Sequence, residues 1–278
     1  MTAPAIILPA HEEAAHLPAC LDALLAQHLP AGCAPLLIVV PNACTDATEA
    51  LARARIPDFA AAGWRMEVIA TPRGGKPHAL NLGEASAPPG GPRIYLDADV
   101  VMGPGLLAGL LAAVAGPGAR YAGGRLRVPC ARSPLSRAYA RFWQRLPFVA
   151  EGVPGAGLFA VNAQGRARWR DFPDLISDDG FVRLHFARHE RHLVDADYAW
   201  PITEGFGPLV RVRRRQDAGM AQIARLHPAL MSNAQGDRPD RGRILRLAQS
   251  DPAGFAAYAA VALAVRLRPS DGAWARGR

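Results

Sequence analysis

The chain has 278 residues, of which 50% are hydrophobic and 20% charged, values typical of a globular protein with one large α/β domain or a domain and an appendage. The four cysteines are scattered without a CxxC pair, which argues against a structural zinc site or disulfide framework. The net charge of +8 divides into −4 for residues 1–118 and +12 for residues 119–278. This division indicates an acidic partner or membrane surface, or simply a GC-rich genome that encodes arginine freely.

The first part of the chain alternates apolar and amphipathic segments. Four predicted strands occupy residues 5–8, 36–40, 66–70 and 93–96. Three predicted helices lie between them at residues 17–25, 45–55 and 76–85, with Thr45 as the N-cap of the second. This alternation predicts an α/β fold with a doubly wound, mostly parallel central sheet flanked by helices. In such sheets ligands bind beyond the carboxyl ends of the strands, where Pro9, Asn42 and Asp97 stand.

The pattern is less regular after residue 119. Two strands are predicted at residues 121–128 and 157–161, and helices at residues 134–145, 179–191, 213–230, 241–249 and 253–267. The stretch 236–239 contains glycine and proline and indicates a boundary. We therefore predict one large domain over residues 1–235, with halves at 1–118 and 119–235, and a helical C-terminal appendage over residues 236–278.

The chain enters its first apolar segment at Ala5, and its longest apolar run, residues 253–265, is shorter than a membrane span. We therefore expect no targeting segment and a cytoplasmic location, with peripheral contact to the inner face of the membrane as an open alternative. No nucleic-acid-binding motif accompanies the basic charge, so we do not expect a nucleic-acid partner.

Two aspartates, Asp97 and Asp99, follow the fourth predicted strand. Two residues apart at a strand end, they can point the same way into the ligand crevice. Close carboxylates repel each other unless a cation lies beside them, and Mg²⁺ or Mn²⁺ bridging to phosphate oxygens would relieve that repulsion. The alternative is a turn in which Asp99 caps the following helix.

A second acidic pair, Asp178 and Asp179, opens the predicted helix at residues 179–191. One carboxylate can act as a general base on a hydroxyl group, and the alternative is ordinary charge complementation at a helix N-terminus. The same predicted helix carries His185, His189 and His192 at near-helical spacing. They form either a metal cluster or, as we favour, a solvated helix face.

Lys76 is the only lysine of the chain and follows two glycines at a predicted helix start. There it can approach a phosphate closely, although its retention by chance is an equal alternative. The segment is not a P-loop, because Pro77 follows the lysine. Asn42 and Asp46, after the second strand, can contact a base edge, whereas helix capping by Thr45 is the structural alternative.

Taken in order, six short segments resemble glycosyltransferase family 2, the inverting enzymes of the GT-A fold. They are residues 6–13 (IILPAHEE), 39–48 (VVPNACTDAT), 75–76 with 79–81 (GK and ALN), 96–99 (LDAD), 155–159 (GAGLF) and 176–179 (ISDD). The resemblance covers about residues 3–220. Each segment is short, but six in the same order are a specific signal.

The resemblance implies a role for each candidate residue. The nucleotide pocket would be lined by Pro9, Ala10, Glu12, Asn42 and Asp46. Lys76 and Arg214 would neutralise phosphate charge, and Asp97 and Asp99 would hold Mg²⁺ or Mn²⁺ on the donor diphosphate. Asp179, beside Asp178, would be the general base. Residues 1–118 would then form the donor half and residues 119–235 the acceptor half.

Two departures from the family pattern bear on function. Pro41 stands where many members have Asp, so base recognition would depend on Asn42 and the nearby backbone. The QxxRW element of processive synthases is missing, with only a loose similarity at residues 213–216, which favours transfer of a single sugar. The resemblance thus implies a metal-dependent, inverting, non-processive glycosyltransferase. Its donor would be a nucleotide-diphospho-sugar and its hydroxyl acceptor a saccharide, a lipid-linked molecule or a small molecule.

Two other functions stay open. A sugar-1-phosphate nucleotidyltransferase of related fold needs a basic, glycine-rich loop near the first strand, where residues 9–13 are acidic. A catalytically silent module that binds a nucleotide sugar is disfavoured by the intact acidic pairs. The C-terminal helix at residues 253–267, with Arg266 near its end, is interpreted either as packed on the domain or as lying on an anionic membrane.

Overall fold

The computed structural model describes residues 3–234 and 241–267. The strands are β1 (Ala5–Ala10), β2 (Leu36–Pro41), β3 (Arg65–Val68), β4 (Arg93–Leu96), β5 (Val101–Met102), β6 (Tyr121–Arg127), β7 (Leu158–Val161) and β8 (Arg191–Ala199). The α-helices are α1 (Leu17–Leu25), α2 (Thr48–Ala54), α3 (Ile56–Ala61), α4 (Lys76–Ser86), α5 (Leu106–Val114), α6 (Pro134–Trp143), α7 (Pro147–Ala150), α8 (Ala163–Arg166), α9 (Asp178–Arg183), α10 (Phe206–Leu226), α11 (Arg241–Ser250) and α12 (Pro252–Leu267). Short 3₁₀ helices cover Arg188–Glu190 and Pro228–Ala234.

The strands form one sheet in the order β3-β2-β1-β4-β7-β6-β8-β5. β3, β2, β1 and β4 run parallel, with Ile7 of β1 opposite Ile38 of β2 and Tyr95 of β4. β7 is antiparallel to β4 and β6, and β5 is antiparallel to β8. The predicted α/β fold, with a parallel sheet and flanking helices, is confirmed, and the antiparallel strands make that sheet mixed.

β1 and β2 are buried along their whole length, as expected for strands covered on both faces. On one side lies α1, whose Leu17, Leu21 and Leu24 are fully buried. α4 also packs closely on the sheet, because a Cβ added at Gly83 would lie 2.5 Å from Cγ2 of Ile7. These apolar contacts fix the strand ends that carry the polar candidate residues.

The chain forms two compact units. Within the described residues, the first comprises 3–125, 155–174 and 186–199, and the second comprises 126–154, 175–185, 200–234 and 241–267. The core of the second unit is built from Tyr139 on α6, Leu209 and Val210 on α10, and Ala257 and Val261 on α12. The domain boundary predicted at residues 235–236 lies outside the described residues, and the division at residue 118 stays a prediction.

No helix within residues 3–234 and 241–267 combines the length and hydropathy needed to cross a membrane.

Three predicted helices were placed wrongly. The helix predicted at 45–55 begins at Thr48 instead of after Thr45, because the Asp46 carboxylate binds the Thr48 amide and delays the first turn. The helix predicted at 179–191 ends at Arg183, and strand β8 begins at Arg191. β8 lies between β6 and β5 in the sheet, and this sheet pairing overrides the local pattern. The third helix, α10, was predicted from residue 213 but begins at Phe206.

Candidate functional site

Three parallel strands end at one edge of the sheet in the first unit. β2, β1 and β4 are neighbours, with Ala10 opposite Pro41 at the ends of β1 and β2. Pro9 and Ala10 close β1, Asn42 follows β2, and Asp97 follows β4. The structure therefore brings these predicted residues to the carboxyl edge of a parallel sheet, where α/β proteins bind ligands.

Asn42 joins three segments of this edge. Its side chain is only 3% exposed, and its Nδ2 donates to the carbonyl oxygens of Ala10 at 2.8 Å and Val40 at 3.4 Å. Its Oδ1 accepts from the amide of Gly75 at 3.1 Å. Both polar atoms of the amide are thus engaged with backbone, so Asn42 holds the ends of β1 and β2 against the turn that precedes α4.

Glu12 and Asp46 link two loops reciprocally. Glu12 Oε1 accepts from the amide and the hydroxyl of Thr45, while Asp46 Oδ2 accepts from the amide of Ala14 at 3.1 Å. The hydrogen bond from the Thr45 amide holds the pKa of Glu12 below its usual range. Glu12 adopts a left-handed conformation with φ of 55°. Both carboxylates therefore shape the loops beside the strand ends.

Lys76 begins α4 and lies beside Asp97. Its Nζ is 2.7 Å from Oδ1 of Asp97, and the two side chains are 33% and 30% exposed. The preceding Gly75 has φ of 124° and ψ of 124°, a conformation essentially restricted to glycine. Gly75 therefore permits the turn that places Lys76 beside the Asp97 carboxylate.

Asp97 and Asp99 lie in a tight turn after β4. The amide of Val100 donates to the carbonyl of Asp97 at 3.1 Å, and the amide of Asp97 donates to the carbonyl of Gly157 at 2.8 Å. Asp99 is 6% exposed. The alternative that Asp99 caps a helix is wrong, because β5 follows the turn and Gly105 is the N-cap of α5.

The acidic turn offers carboxylate oxygens of the kind that bind divalent cations. Asp97 is paired with the positively charged Lys76, and both aspartates have the oxygen ligands that Mg²⁺ and Mn²⁺ prefer. Across residues 3–234 and 241–267, no group of three or more His, Cys, Asp or Glu side chains could enclose a metal. Further ligands would therefore come from phosphate and water, which is the usual arrangement for Mg²⁺.

The second acidic pair belongs to the second unit and opens α9. Asp178 is buried, and Asp179 Oδ1 accepts from the hydroxyl of Ser177 and the amide of Gly180, both at 2.7 Å. A Cβ added at Gly219 of α10 would lie 2.8 Å from the Cβ of Ser177. α10 therefore packs against Ser177, whose hydroxyl orients the Asp179 carboxylate.

Arg214 also belongs to the second unit. Its NH2 group donates to the carbonyl of Ala264 on α12 at 2.8 Å. Neighbouring Arg213 pairs with Asp217 at 3.1 Å and lies 6.0 Å from the ring centre of Tyr258. These contacts give both arginines a part in joining α10 to α12.

The helix predicted at residues 179–191 ends at Arg183, before all three histidines, so neither interpretation of a shared helix face applies to them. His185 follows α9, His189 lies in a 3₁₀ turn, and His192 lies on β8. Burial lowers the pKa of His192, which favours its neutral form.

Two polar residues at the same sheet edge were missed by the sequence interpretation. His11 Nδ1 lies 2.7 Å from the carbonyl oxygen of Asn42, and Thr71, three residues beyond β3, pairs with Asn42 through an isolated parallel bridge. His11 directly follows β1 and Thr71 lies shortly after β3, and these positions were the available signal, because polar residues at such ends face the ligand edge.

Comparison with known proteins gives one family. Residues 5–167, more than half of the chain, match the sequence model of the family described as Glycosyl transferase family 2. A search of curated proteins found no match.

Several solved structures share the fold. A mannosyltransferase from Pyrobaculum calidifontis, in complex with GDP-Man and Mn²⁺, is 20% identical with a TM-score of 0.60, over 96% of this chain and 76% of that one. Glucosyl-3-phosphoglycerate synthase from Mycobacterium tuberculosis, with Mn²⁺, UDP and glucosyl-3-phosphoglycerate, is 20% identical with a TM-score of 0.55, over 87% and 82% of the two chains. The same synthase is known with Mg²⁺ and UDP. S. aureus TarS 1-349 with UDP is 12% identical with a TM-score of 0.54, over 98% and 95%. At these identities the likeness shows the GT-A fold.

Proposed function

Because the chain belongs to glycosyl transferase family 2, we propose that it moves a single sugar from a nucleotide-diphospho-sugar to a hydroxyl acceptor, with inversion at the anomeric carbon. In this reaction the bond from the anomeric carbon to the acceptor oxygen forms as its bond to the diphosphate breaks. The nucleoside diphosphate leaves, and the proton of the acceptor passes to a base. One direct displacement of this kind inverts the configuration.

The observation that carries the proposal is the acidic turn after β4, Asp97 and Asp99, with the lysine side chain of Lys76 beside it. Lys76 Nζ pairs with Asp97 Oδ1 at 2.7 Å, at the sheet edge where parallel α/β folds bind ligands. Asp99 and Asp97 would hold Mg²⁺ or Mn²⁺, which supplies positive charge to the departing diphosphate. The metal-bound structures of the mannosyltransferase and the synthase support this assignment.

The nucleotide would lie at the ends of β1 and β2. Pro9 and Ala10 provide backbone there, and Glu12 and Asp46 hold the flanking loops. Asn42, whose amide is engaged with backbone, would act by positioning these segments. The GDP and UDP groups in the related structures support a nucleoside diphosphate at this edge.

Asp179 would accept the proton of the acceptor hydroxyl, with buried Asp178 beside it in sequence. The hydrogen bonds from Ser177 and the Gly180 amide support this assignment, because they fix one carboxylate oxygen while the other can receive the proton. Arg214 would add positive charge for the phosphates from α10. The missing QxxRW element supports transfer of one sugar per acceptor.

The first test is a thermal-shift screen of nucleoside diphosphates and nucleotide sugars with Mn²⁺, followed by an assay of nucleoside diphosphate release from the donor that binds. Stabilisation by a donor together with its slow, metal-dependent hydrolysis is expected. Binding without release would support the silent module. Pyrophosphate release from a nucleoside triphosphate and a sugar 1-phosphate would support the nucleotidyltransferase.

The second test separates the two acidic pairs. Asp179→Asn should reduce turnover by about 10³-fold or more while donor affinity stays within about twofold. Asp99→Ala should abolish the Mn²⁺-dependent part of nucleoside diphosphate binding in calorimetry. Asp171→Asn, at an exposed aspartate outside both pairs, is the matched control. Unchanged turnover in Asp179→Asn would refute its role as the base.

A further inference from the structure

Exposed apolar side chains are concentrated in the second unit. Of the eight large hydrophobic side chains that are exposed in the described part of the chain, only Val101 belongs to the first unit. Three of the other seven lie on α12, where Phe255, Leu263 and Leu267 are 36%, 58% and 72% exposed. Such side chains are unremarkable singly, but clustering on one helix marks an interaction surface.

α12 is apolar on both sides. Its inner side buries Gly254, Ala257 and Val261 in the core of the second unit. Its outer side exposes Ala256, Ala260, Leu263 and Leu267, at intervals of four, three and four residues that place them along one stripe. We call this stripe the outer face. Between Pro252 and Val265 the helix has no charged residue, although a surface helix ordinarily carries charges on its outer side.

The unit that carries the outer face is basic. In its described part, the second unit carries 15 arginines and six carboxylates, a net charge of +9, whereas the first unit carries 13 basic and 15 acidic residues, a net charge of −2. Arg266 is exposed between Val265 and Leu267, and the adjoining α11 exposes Arg241 and Arg246 beside Leu245. The apolar outer face thus belongs to a basic unit, with exposed arginines on its own helix and on the adjoining α11.

We propose that the outer face of α12 is a docking surface for an anionic lipid membrane. The leucines would enter the boundary between headgroups and acyl chains, and the arginines would contact lipid phosphates. A second copy of this chain is a poorer occupant, because two surfaces with a net positive charge repel each other. The proposal goes beyond the transfer reaction and does not depend on it.

Flotation with lipid vesicles tests the proposal on the full chain. Vesicles of phosphatidylcholine containing about 30 mol% phosphatidylglycerol should carry the protein upward, and pure phosphatidylcholine vesicles should carry much less. Raising the salt concentration should weaken the binding, because arginine–phosphate attraction is screened. Leu263→Glu should reduce partitioning into the anionic vesicles by about tenfold or more, since it removes an inserting side chain and adds a repelling charge.

Leu226→Glu is the matched control, because Leu226 ends α10, is 51% exposed and lies outside α12. It should float like the unchanged chain, and circular dichroism should show both variants folded. Equal flotation of both variants, or no flotation of the unchanged chain, would overturn the proposal. So would a concentration-dependent dimer in light scattering that Leu263→Glu alone dissociates, since a second copy would then occupy the outer face.

Discussion

Lys76 Nζ lies 2.7 Å from Asp97 Oδ1, so the first residue of α4 contacts the acidic turn that follows β4. Asn42 holds the amide of Gly75 immediately before this lysine. The Asn42 side chain, the turn at Gly75 and the Lys76 side chain therefore form a continuous series of contacts from β2 to the acidic turn. We expect substitutions of these three residues to affect ligand binding and stability to different extents.

Replacing Lys76 with Met should weaken nucleoside diphosphate binding about tenfold, because a cation near the proposed phosphate site is lost. The free energy of unfolding should change by less than about 1 kcal/mol, since an ion pair that is one-third exposed contributes little. Calorimetry with Mn²⁺ measures the first effect and urea denaturation the second. Arg53→Met removes a cation from an exposed pair on α2 and should leave affinity unchanged. Equal affinities for the two variants would contradict the phosphate role.

Asn42→Ala should lower the free energy of unfolding by about 2 kcal/mol, because buried carbonyl and amide groups lose their partner. Hydrogen exchange of the Gly75 amide should become faster. Asn42→Asp retains an oxygen that can accept from Gly75, but it cannot donate to the Ala10 carbonyl. Gly75 should therefore stay protected in the Asp variant and not in the Ala variant. Slow exchange in both would show that Asn42 does not hold the turn.

The sequence predicted the parallel part of the sheet well, because β1, β2 and β4 are short apolar runs followed by polar residues. It failed for β8, whose residues alternate only weakly and become a strand through their place between β6 and β5 in the sheet. The positions of site residues at strand ends could be predicted from chain order. Their contacts could not, because Asn42 and Gly75 are 33 positions apart in the sequence and meet only through the tertiary fold.

Gly75→Ala should destabilise the protein by about 1–3 kcal/mol, because a side chain is strained at φ of 124°. It should also weaken nucleoside diphosphate binding, since Lys76 follows directly. Gly63→Ala, at φ of 78° in open space, should cost about 1 kcal/mol and leave binding unchanged. Paired denaturation and calorimetry measurements check both variants. Normal affinity in Gly75→Ala would mean that the turn does not position the lysine.

Asp251 should make the second unit sensitive to acid. Arg141 binds its carboxylate through Nε at 2.8 Å and NH2 at 2.7 Å, and the Gly254 amide at the start of α12 donates to it at 3.0 Å. The hydrogen bonds from Arg141 hold the pKa of Asp251 below its ordinary value of 3.8. Because the folded-state pKa is the lower one, the stabilisation is complete above that ordinary value and is lost as the pH falls through the folded-state pKa.

Asp251→Asn should therefore reduce the free energy of unfolding by about 1–2 kcal/mol at pH 7, because the charged hydrogen-bonded pair with Arg141 is lost while the Asn oxygen can still accept from the Gly254 amide. The difference from the unchanged chain should shrink below about pH 4 and vanish once the carboxyl group is protonated in both states. Asp217→Asn, whose side chain is 52% exposed in its pair with Arg213, should cost less than about 0.5 kcal/mol at pH 7. Urea denaturation between pH 2 and about pH 7 measures both differences. A difference for Asp251→Asn that does not change with pH would show that its charge does not stabilise the contact between α6 and α12.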